Sequence, residues 1–312
     1  MQIERWFASV LSFVFITFTP HDLIITLDKD IQHGLQKSSK DGLYHVFPEN
    51  ESVVVMSNHQ LYTDWVYAWL VAKLQRLDGN MKIILKDSLR KLPIFGHGMQ
   101  FFEFIFLKRN WEADKKTLDT SLTRIKNKSL PTILFLFPEG TTLSKNGRAK
   151  SKSFCEKNNL ADFKYLLYPR STGMHYCISQ LSPDIKYVYD LTMGYDGLPR
   201  DGTGWPEEIY SLKNMFYNSI YPKKVCIHIR RFEVTSIPKT LPEFSNWLTQ
   251  RFHEKELMLE TFYKESSFIP NSSTNLNSIK NPFKMHQIIL EMVTIWLGAF
   301  SIYYIFKFLL FA

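Results

Sequence analysis

Cysteine is scarce in this sequence of 312 residues, and no two cysteines lie close together. The three are Cys155, Cys177 and Cys226, and they form no Cys-x-x-Cys pair. This number and spacing argue against a disulfide framework and against a zinc site. We therefore expect three buried thiols and no bound metal.

The motifs of two large functional classes are also missing. No Gly-x-Ser-x-Gly turn occurs, which disfavours a hydrolase with a serine nucleophile. The sequence has no zinc-finger spacing, RNA-binding aromatic motif or basic helix with heptads, so no nucleic-acid partner is expected. The formal net charge of +8 and the pI near 9.2 instead indicate an anionic partner, such as a phospholipid surface or a phosphorylated cofactor.

A hydrophobic content of 45% is ample for one large core. Short apolar runs typical of buried strands alternate along the chain with helical patterns. The runs that predict strands are 23–27, 53–56, 81–86, 104–107, 133–137, 166–168, 187–192 and 225–230, and those that predict the longer helices are 66–72, 112–128 and 241–262. This alternation predicts an α/β domain.

Apolar segments at the two ends of the chain suggest contact with a membrane. Residues 6–18 carry no charge but are too few to span a bilayer comfortably, which favours a membrane-lying or re-entrant segment. Residues 288–306 are interrupted only by Glu291, and their length predicts one transmembrane helix, with a buried core helix as the alternative. The predicted organisation is an N-terminal membrane-associated segment, a main domain, a linker and a C-terminal transmembrane helix, at 1–27, 28–265, 266–285 and 286–312.

A histidine lies at a predicted strand-to-helix turn. His59 follows the apolar run 53–56, and Asp64 comes five residues later at the start of the predicted helix. With His59 still in the turn, Asp64 can fold back and accept a hydrogen bond from one imidazole nitrogen. The other nitrogen then stays an acceptor, as a general base requires. The alternative is a histidine that only caps the helix.

A second turn follows another buried-strand run about eighty residues downstream. It consists of Pro138, Glu139, Gly140 and Thr141. Such a tight turn exposes a backbone amide, a carboxylate and a hydroxyl at a sheet edge, where they can hold a phosphate or sugar-like hydroxyls.

Together the two stretches resemble the glycerolipid acyltransferase family, which includes the 1-acylglycerol-3-phosphate acyltransferases. Asn58-His59 with Asp64 matches the catalytic block of that family, and 137–141 matches its acceptor-binding block. The run 166–170, which ends in Pro169-Arg170, resembles the fourth block of the eukaryotic branch that holds lysocardiolipin, lysophosphatidylinositol and some lysophosphatidate acyltransferases. The resemblance covers 51–262 and implies a mixed α/β fold, with a largely parallel central sheet flanked by helices.

The resemblance also implies a reaction. His59 would take the proton from the free hydroxyl of a lysophospholipid, and Asp64 would steady the imidazolium. The alkoxide would attack acyl-CoA directly, without an acyl-enzyme, so acyl-CoA is a cosubstrate and no bound cofactor is expected. Membrane lipids are the expected surroundings, in the endoplasmic reticulum or, as alternatives, in mitochondrial or lipid-droplet membranes.

Substrate-binding roles are carried over from the same blocks to Glu139, Gly140, Thr141 and Pro169. Arg109, after the strand run 104–107, takes the acceptor-phosphate role by resemblance, and a guanidinium suits phosphate through bidentate pairing. Its alternative is a solvated strand end. The remaining candidates are Asn58, or a backbone amide near it, for the oxyanion, and Lys86 for a phosphate or simply as a strand-end lysine.

Two other functions remain open from the sequence. A CoA-independent transacylase of the same fold would use the same histidine and aspartate. A non-catalytic membrane adaptor would be free to lose His59 or Asp64, whereas this chain keeps both.

Overall fold

The computed structural model describes residues 2–311 except 41, 49, 94, 129 and 269–277. The strands are β1 Asp22–Leu27, β2 Ser52–Ser57, β3 Met81–Lys86, β4 Ile105–Leu107, β5 Ile133–Leu136, β6 Ile185–Tyr195, β7 Lys224–Glu233 and β8 Ser278–Lys280. The helices are α1 Gln2–Phe18, α2 Asp64–Lys73, α3 Phe95–Phe101, α4 Trp111–Lys126, α5 Lys145–Lys157, α6 Ser171–Leu181, α7 Pro206–Ile209, α8 Leu212–Phe216, α9 Leu241–Glu265 and α10 Met285–Phe311. Short 3₁₀ turns lie at Lys29–Leu35, Asp78–Asn80, Asp87–Lys91 and Val234–Ser236.

The eight strands form one sheet in the order β4-β3-β5-β2-β6-β7-β1-β8. The five strands from β4 to β6 are parallel to one another. β7 is antiparallel to β6, β1 is parallel to β7, and β8 is antiparallel to β1. The predicted mixed, largely parallel α/β sheet flanked by helices is therefore confirmed.

The central strands are buried along nearly their whole length. Every residue of β5 is buried, and in β2 only Ser52 is partly exposed. Strands covered on both faces read as continuous apolar runs, which is why the sequence predicted them. The carboxyl ends of β4, β3, β5 and β2 meet at one edge of the sheet, and this edge is where α/β folds place their ligands.

The predicted strand at 166–168 is wrong, because the segment is irregular. The backbone N–H groups of Leu167 and Tyr168, and that of Tyr165 just before the segment, donate to side chains and not to a neighbouring strand. Tyr165 N donates to Glu256, Leu167 N donates to Glu139 Oε2 at 2.9 Å, and Tyr168 N donates to a serine hydroxyl of α5. A buried segment whose amides are paired in this way needs no strand partner.

The terminal apolar segments both form helices that contact the domain. In α1, Glu4 is buried and its Oε1 lies 2.8 Å from Lys82 Nζ. In α10, Glu291 Oε2 lies 2.8 Å from Lys73 Nζ of α2, and Ile288 is buried. The first turns of α10 are thus anchored on the protein.

A transmembrane helix at 286–312 is not supported. In the part of the chain that the structure describes, no helix is both long and apolar enough to cross a membrane. The side chains of 305–312 lie outside the described residues, and so do residues 269–277 of the predicted linker. Ser278–Lys280, which follows them, pairs with β1.

Candidate active site

The His59 turn joins β2 to α2 at the carboxyl edge of the sheet. His59 Nδ1 lies 2.9 Å from Asp64 Oδ2. The aspartate side chain has no exposed surface, whereas that of the histidine is 18% exposed. Asp64 is the first residue of α2, where the aligned peptide dipoles favour a negative charge. The structure therefore brings the two predicted residues together at the start of a helix.

Asp64 accepts three further hydrogen bonds. Its Oδ2 accepts from the backbone N–H groups of Gln60 and Leu61, at 2.7 and 3.0 Å. Its Oδ1 accepts from the Tyr195 hydroxyl at 2.5 Å, and burial keeps the pKa of that tyrosine well above its ordinary value, so it remains a donor. Because both carboxylate oxygens act as acceptors, Nδ1 of His59 is the protonated nitrogen. Nε2 is then left as the acceptor.

The imidazole ring of His59 is also held by an aromatic contact. Phe137 stacks on it with a centroid separation of 3.9 Å and an interplanar angle of 13°. The Asp64 bond fixes one edge of the ring and Phe137 covers one face. The orientation of Nε2 is thus set before any substrate binds.

Glu139 ties the two turns of the site to each other. Its side chain is buried, Oε1 accepts from His59 N at 2.8 Å, and Oε2 accepts from Leu167 N at 2.9 Å. Burial raises the pKa of this carboxyl to about 8, against the two N–H donors, which favour the charged form. The carboxyl faces inward to the backbone, whereas the resemblance implied a contact with the acceptor.

The side chain of Asn58 pairs with the backbone of β6 and does not face the reacting centre. Its Nδ2 donates to Met193 O at 2.9 Å, and its Oδ1 accepts from Met193 N at 2.8 Å. The residue has no exposed surface. Its amide therefore extends the pairing of β2 with β6 by one more residue, and this geometry does not support the predicted oxyanion role.

The remaining predicted residues lie around the Glu139 turn and the neighbouring strand ends. Arg109 Nη2 donates to Gly140 O at 2.5 Å, and Thr141 is partly exposed in the same turn. Lys86 is exposed at the end of β3, opposite the last residue of β4. Pro169 is buried and precedes Arg170, whose backbone N–H donates to Pro138 O at 2.8 Å.

Comparison with known proteins identifies the family. The sequence pattern described as "Acyltransferase" matches residues 33–195, and the one described as "Acyltransferase C-terminus" matches 215–290. This chain belongs to the acyltransferase family.

Individual relatives support this assignment. The chain is 37% identical to the 2-acyl-1-lysophosphatidylinositol acyltransferase of Saccharomyces cerevisiae, over 94% of this chain and 82% of that relative. It is 31% identical to lysocardiolipin acyltransferase 1 of Gallus gallus, over 84% and 68% of the two chains. It is also 36% identical to the probable 1-acyl-sn-glycerol-3-phosphate acyltransferase 5 of Arabidopsis thaliana, over 73% and 57%.

Several residues of this acyltransferase site were not predicted from the sequence. Tyr195 lies 131 positions from the aspartate it contacts, and no local pattern marks it. Gln60 lies within the catalytic block, and it joins Tyr165 O at 3.2 Å to the Tyr263 hydroxyl at 2.8 Å. Arg170 ends the run 166–170 that resembles the fourth block, and a basic residue directly after the proline of that block is the sequence signal that could have marked it.

The side chains that commonly bind metals also bear on an expectation from the sequence. Cys155, Cys177 and Cys226 are free and buried, as predicted. Among the described residues, no group of three or more His, Cys, Asp or Glu side chains could hold a metal ion.

Proposed function

We propose that this protein transfers a fatty acyl group from acyl-CoA to the free hydroxyl of a lysophospholipid. The observation that carries the proposal is the contact of His59 Nδ1 with Asp64 Oδ2, which leaves Nε2 as an acceptor at the carboxyl edge of the sheet. Membership of the acyltransferase family and the names of the three relatives support the reaction class and the class of acceptor.

In the proposed reaction, His59 Nε2 accepts the proton of the lysophospholipid hydroxyl as its oxygen attacks the thioester carbonyl. The new C–O bond forms a tetrahedral intermediate, which collapses by breaking the C–S bond. The imidazolium returns its proton to the CoA thiolate, so free CoA and the acylated phospholipid leave. Asp64 stabilises the imidazolium and holds Nδ1–H, and its own four hydrogen bonds keep it in place.

The acceptor in this proposal is lysophosphatidate, lysophosphatidylinositol or lysocardiolipin, which all combine a free hydroxyl with a phosphate. Arg109, held against the Gly140 carbonyl at the same edge as His59, is suited to that phosphate. The names of the relatives include all three kinds of acceptor and do not favour one.

We further propose that the protein acts at a membrane, as expected for an enzyme with lipid substrates. Several large apolar side chains of α10 are well exposed, including Leu290 at 67%, Trp296 at 71% and Phe300 at 61%. An apolar helical surface of this kind is suited to the interface of a lipid bilayer. A location in the endoplasmic reticulum stays a prediction from the resemblance alone.

An acyl-transfer assay tests the proposed reaction. Detergent-solubilised membranes that contain the protein are supplied with labelled oleoyl-CoA and a panel of lysophospholipids. We expect incorporation into at least one lysophospholipid, and a loss of about 10²–10⁴-fold in the His59→Ala variant, the contribution typical of a general base. His97→Ala is the matched control, because His97 is exposed on α3.

Three other outcomes would count against the proposal. Acyl exchange between whole phospholipids without acyl-CoA would establish a CoA-independent transacylase. Folded wild-type protein that performs neither reaction would favour a membrane adaptor. Equal activity of the wild type and the His59→Ala variant would remove His59 from the chemistry.

A further inference from the structure

Arg170 lies against the same glycine that Arg109 contacts. Its Cδ and Nε atoms are 3.6 and 3.7 Å from the position that a Cβ on Gly140 would occupy. Its backbone N–H bonds to Pro138 O at 2.8 Å, which fixes the start of its side chain beside the Glu139 turn. The side chain is exposed, so it is open to a ligand.

Arg109 reaches this turn from the end of β4. Its Nη2 donates to Gly140 O at 2.5 Å, and its other guanidinium N–H groups donate to no residue that the structure describes. Its backbone has a φ of 64°, in the left-handed region that a non-glycine residue adopts at a cost. Such strain is common where a side chain must be held in one place for binding.

The two guanidinium groups stand close together, and neither forms an ion pair with a carboxylate among the described residues. The charge of Arg170, after burial, is the second cause that lowers the pKa of Arg109. In the described part of the chain, the arginines that pair with carboxylates are Arg90, Arg124, Arg148, Arg230, Arg231 and Arg251. Arg109 and Arg170 are not among them. Two cations held together in this way are stabilised when an anion binds between them.

The geometry points to Arg170 as a second phosphate-binding residue that acts together with Arg109 at the Gly140 turn. The chemical class of the ligand is a phosphate group, because planar guanidinium groups bind phosphate oxygens in bidentate fashion. The inference rests on the proposed function, in which two substrates carry phosphate: the lysophospholipid acceptor and acyl-CoA. The site extends the role expected of Arg109 to a pair of residues from two separate loops.

Kinetics of the full-length protein in detergent test the inference. For Arg170→Ala we expect the KM of one substrate to rise roughly 10- to 100-fold, the effect of losing a charged hydrogen bond. A rise for the lysophospholipid assigns the site to the acceptor phosphate, and a rise for acyl-CoA assigns it to a CoA phosphate. The kcat should change much less, since the contacts of Arg170 are with the Gly140 turn and Pro138 O and not with the Asp64 bond that orients His59.

A double-mutant cycle tests whether the two arginines share one ligand. If both bind one phosphate, the effects of Arg109→Ala and Arg170→Ala on KM are not additive. Arg170→Lys keeps the charge but loses the bidentate geometry, so its effect should be intermediate. Arg124→Ala is the matched control, because Arg124 lies in the last turn of α4, at the opposite end of that helix from Arg109.

A binding measurement separates failure of this inference from failure of the proposed function. Inorganic phosphate, sn-glycerol 3-phosphate and free CoA are each added to the protein, and the shift in its melting temperature is measured without turnover. At least one of these probes should stabilise the wild type and not Arg170→Ala. If the wild type is active and Arg170→Ala has the same KM values and the same melting shifts with the probes, this inference is overturned and the proposed function is not. If a probe stabilises the wild type but not Arg170→Ala, and the wild type shows no acyl transfer, the inferred phosphate site stands and the proposed function is overturned.

Discussion

Replacing Glu139 by glutamine tests whether this residue holds the backbone of the site together or contacts the lysophospholipid acceptor. Both oxygens of the carboxyl accept a backbone N–H, from His59 and from Leu167. A protonated carboxyl could still accept at both oxygens, but an amide offers one acceptor and one NH₂ donor. In the Glu139→Gln variant one of the two buried N–H groups must therefore face another donor.

The expected magnitude follows from that mismatch. An unsatisfied buried donor costs about 1–3 kcal/mol of unfolding free energy. For a chain of this size, each kcal/mol lowers the melting temperature by roughly 2–4 °C. If the His59 N–H is the one displaced, the turn shifts, and a misplacement of about 1 Å costs roughly 10²-fold in rate. We expect a lower melting temperature and a lower kcat, with the KM for the acceptor nearly unchanged.

Melting curves and steady-state kinetics of the same preparation measure both effects. Glu156→Gln is the control, because Glu156 lies on α5 with 65% of its side chain exposed. The reasoning fails if Glu139→Gln has the stability and kcat of the wild type but a raised KM for the lysophospholipid. That result would show that Glu139 contacts the acceptor, as the resemblance implied.

Two further predictions concern the groups around His59. Because the pKa of Glu139 is raised from 4.5 to about 8, the folded protein binds a proton that the unfolded chain releases over this range. The unfolding free energy of the wild type relative to Glu139→Gln should therefore decrease as the pH rises from 4.5 to 8, by as much as ~5 kcal/mol. Urea unfolding at a series of pH values measures this, and parallel profiles of the two proteins would contradict it. Tyr195→Phe keeps the buried ring but removes the donor to Asp64 Oδ1. We expect a loss of about 1.5–3 kcal/mol in unfolding free energy and a lower kcat. Unchanged kinetics would exclude a positioning role for Tyr195.

Much of the fold was predictable because its signals are local. Buried parallel strands are continuous apolar runs, and β2, β3 and β5 were located from these runs to within a residue or two. The segment 166–168 has the same apolar character and yet is irregular, because the side chains of Glu139 and Ser151 accept the hydrogen bonds of its Leu167 and Tyr168 N–H groups. An apolar run shows that a segment is buried, but not what its backbone pairs with.

The sequence by itself determined the α/β class, the turn that carries His59, and the five-residue spacing that lets Asp64 fold back onto it. Only the tertiary structure decided that Glu139 faces the backbone, that Tyr195 holds Asp64, and that Arg170 meets Arg109 beside Gly140. The physical reason is distance along the chain. His59 and Asp64 lie within one turn, so local geometry brings them together, whereas the other contacts join separate strands and loops and depend on the order in which the sheet places them.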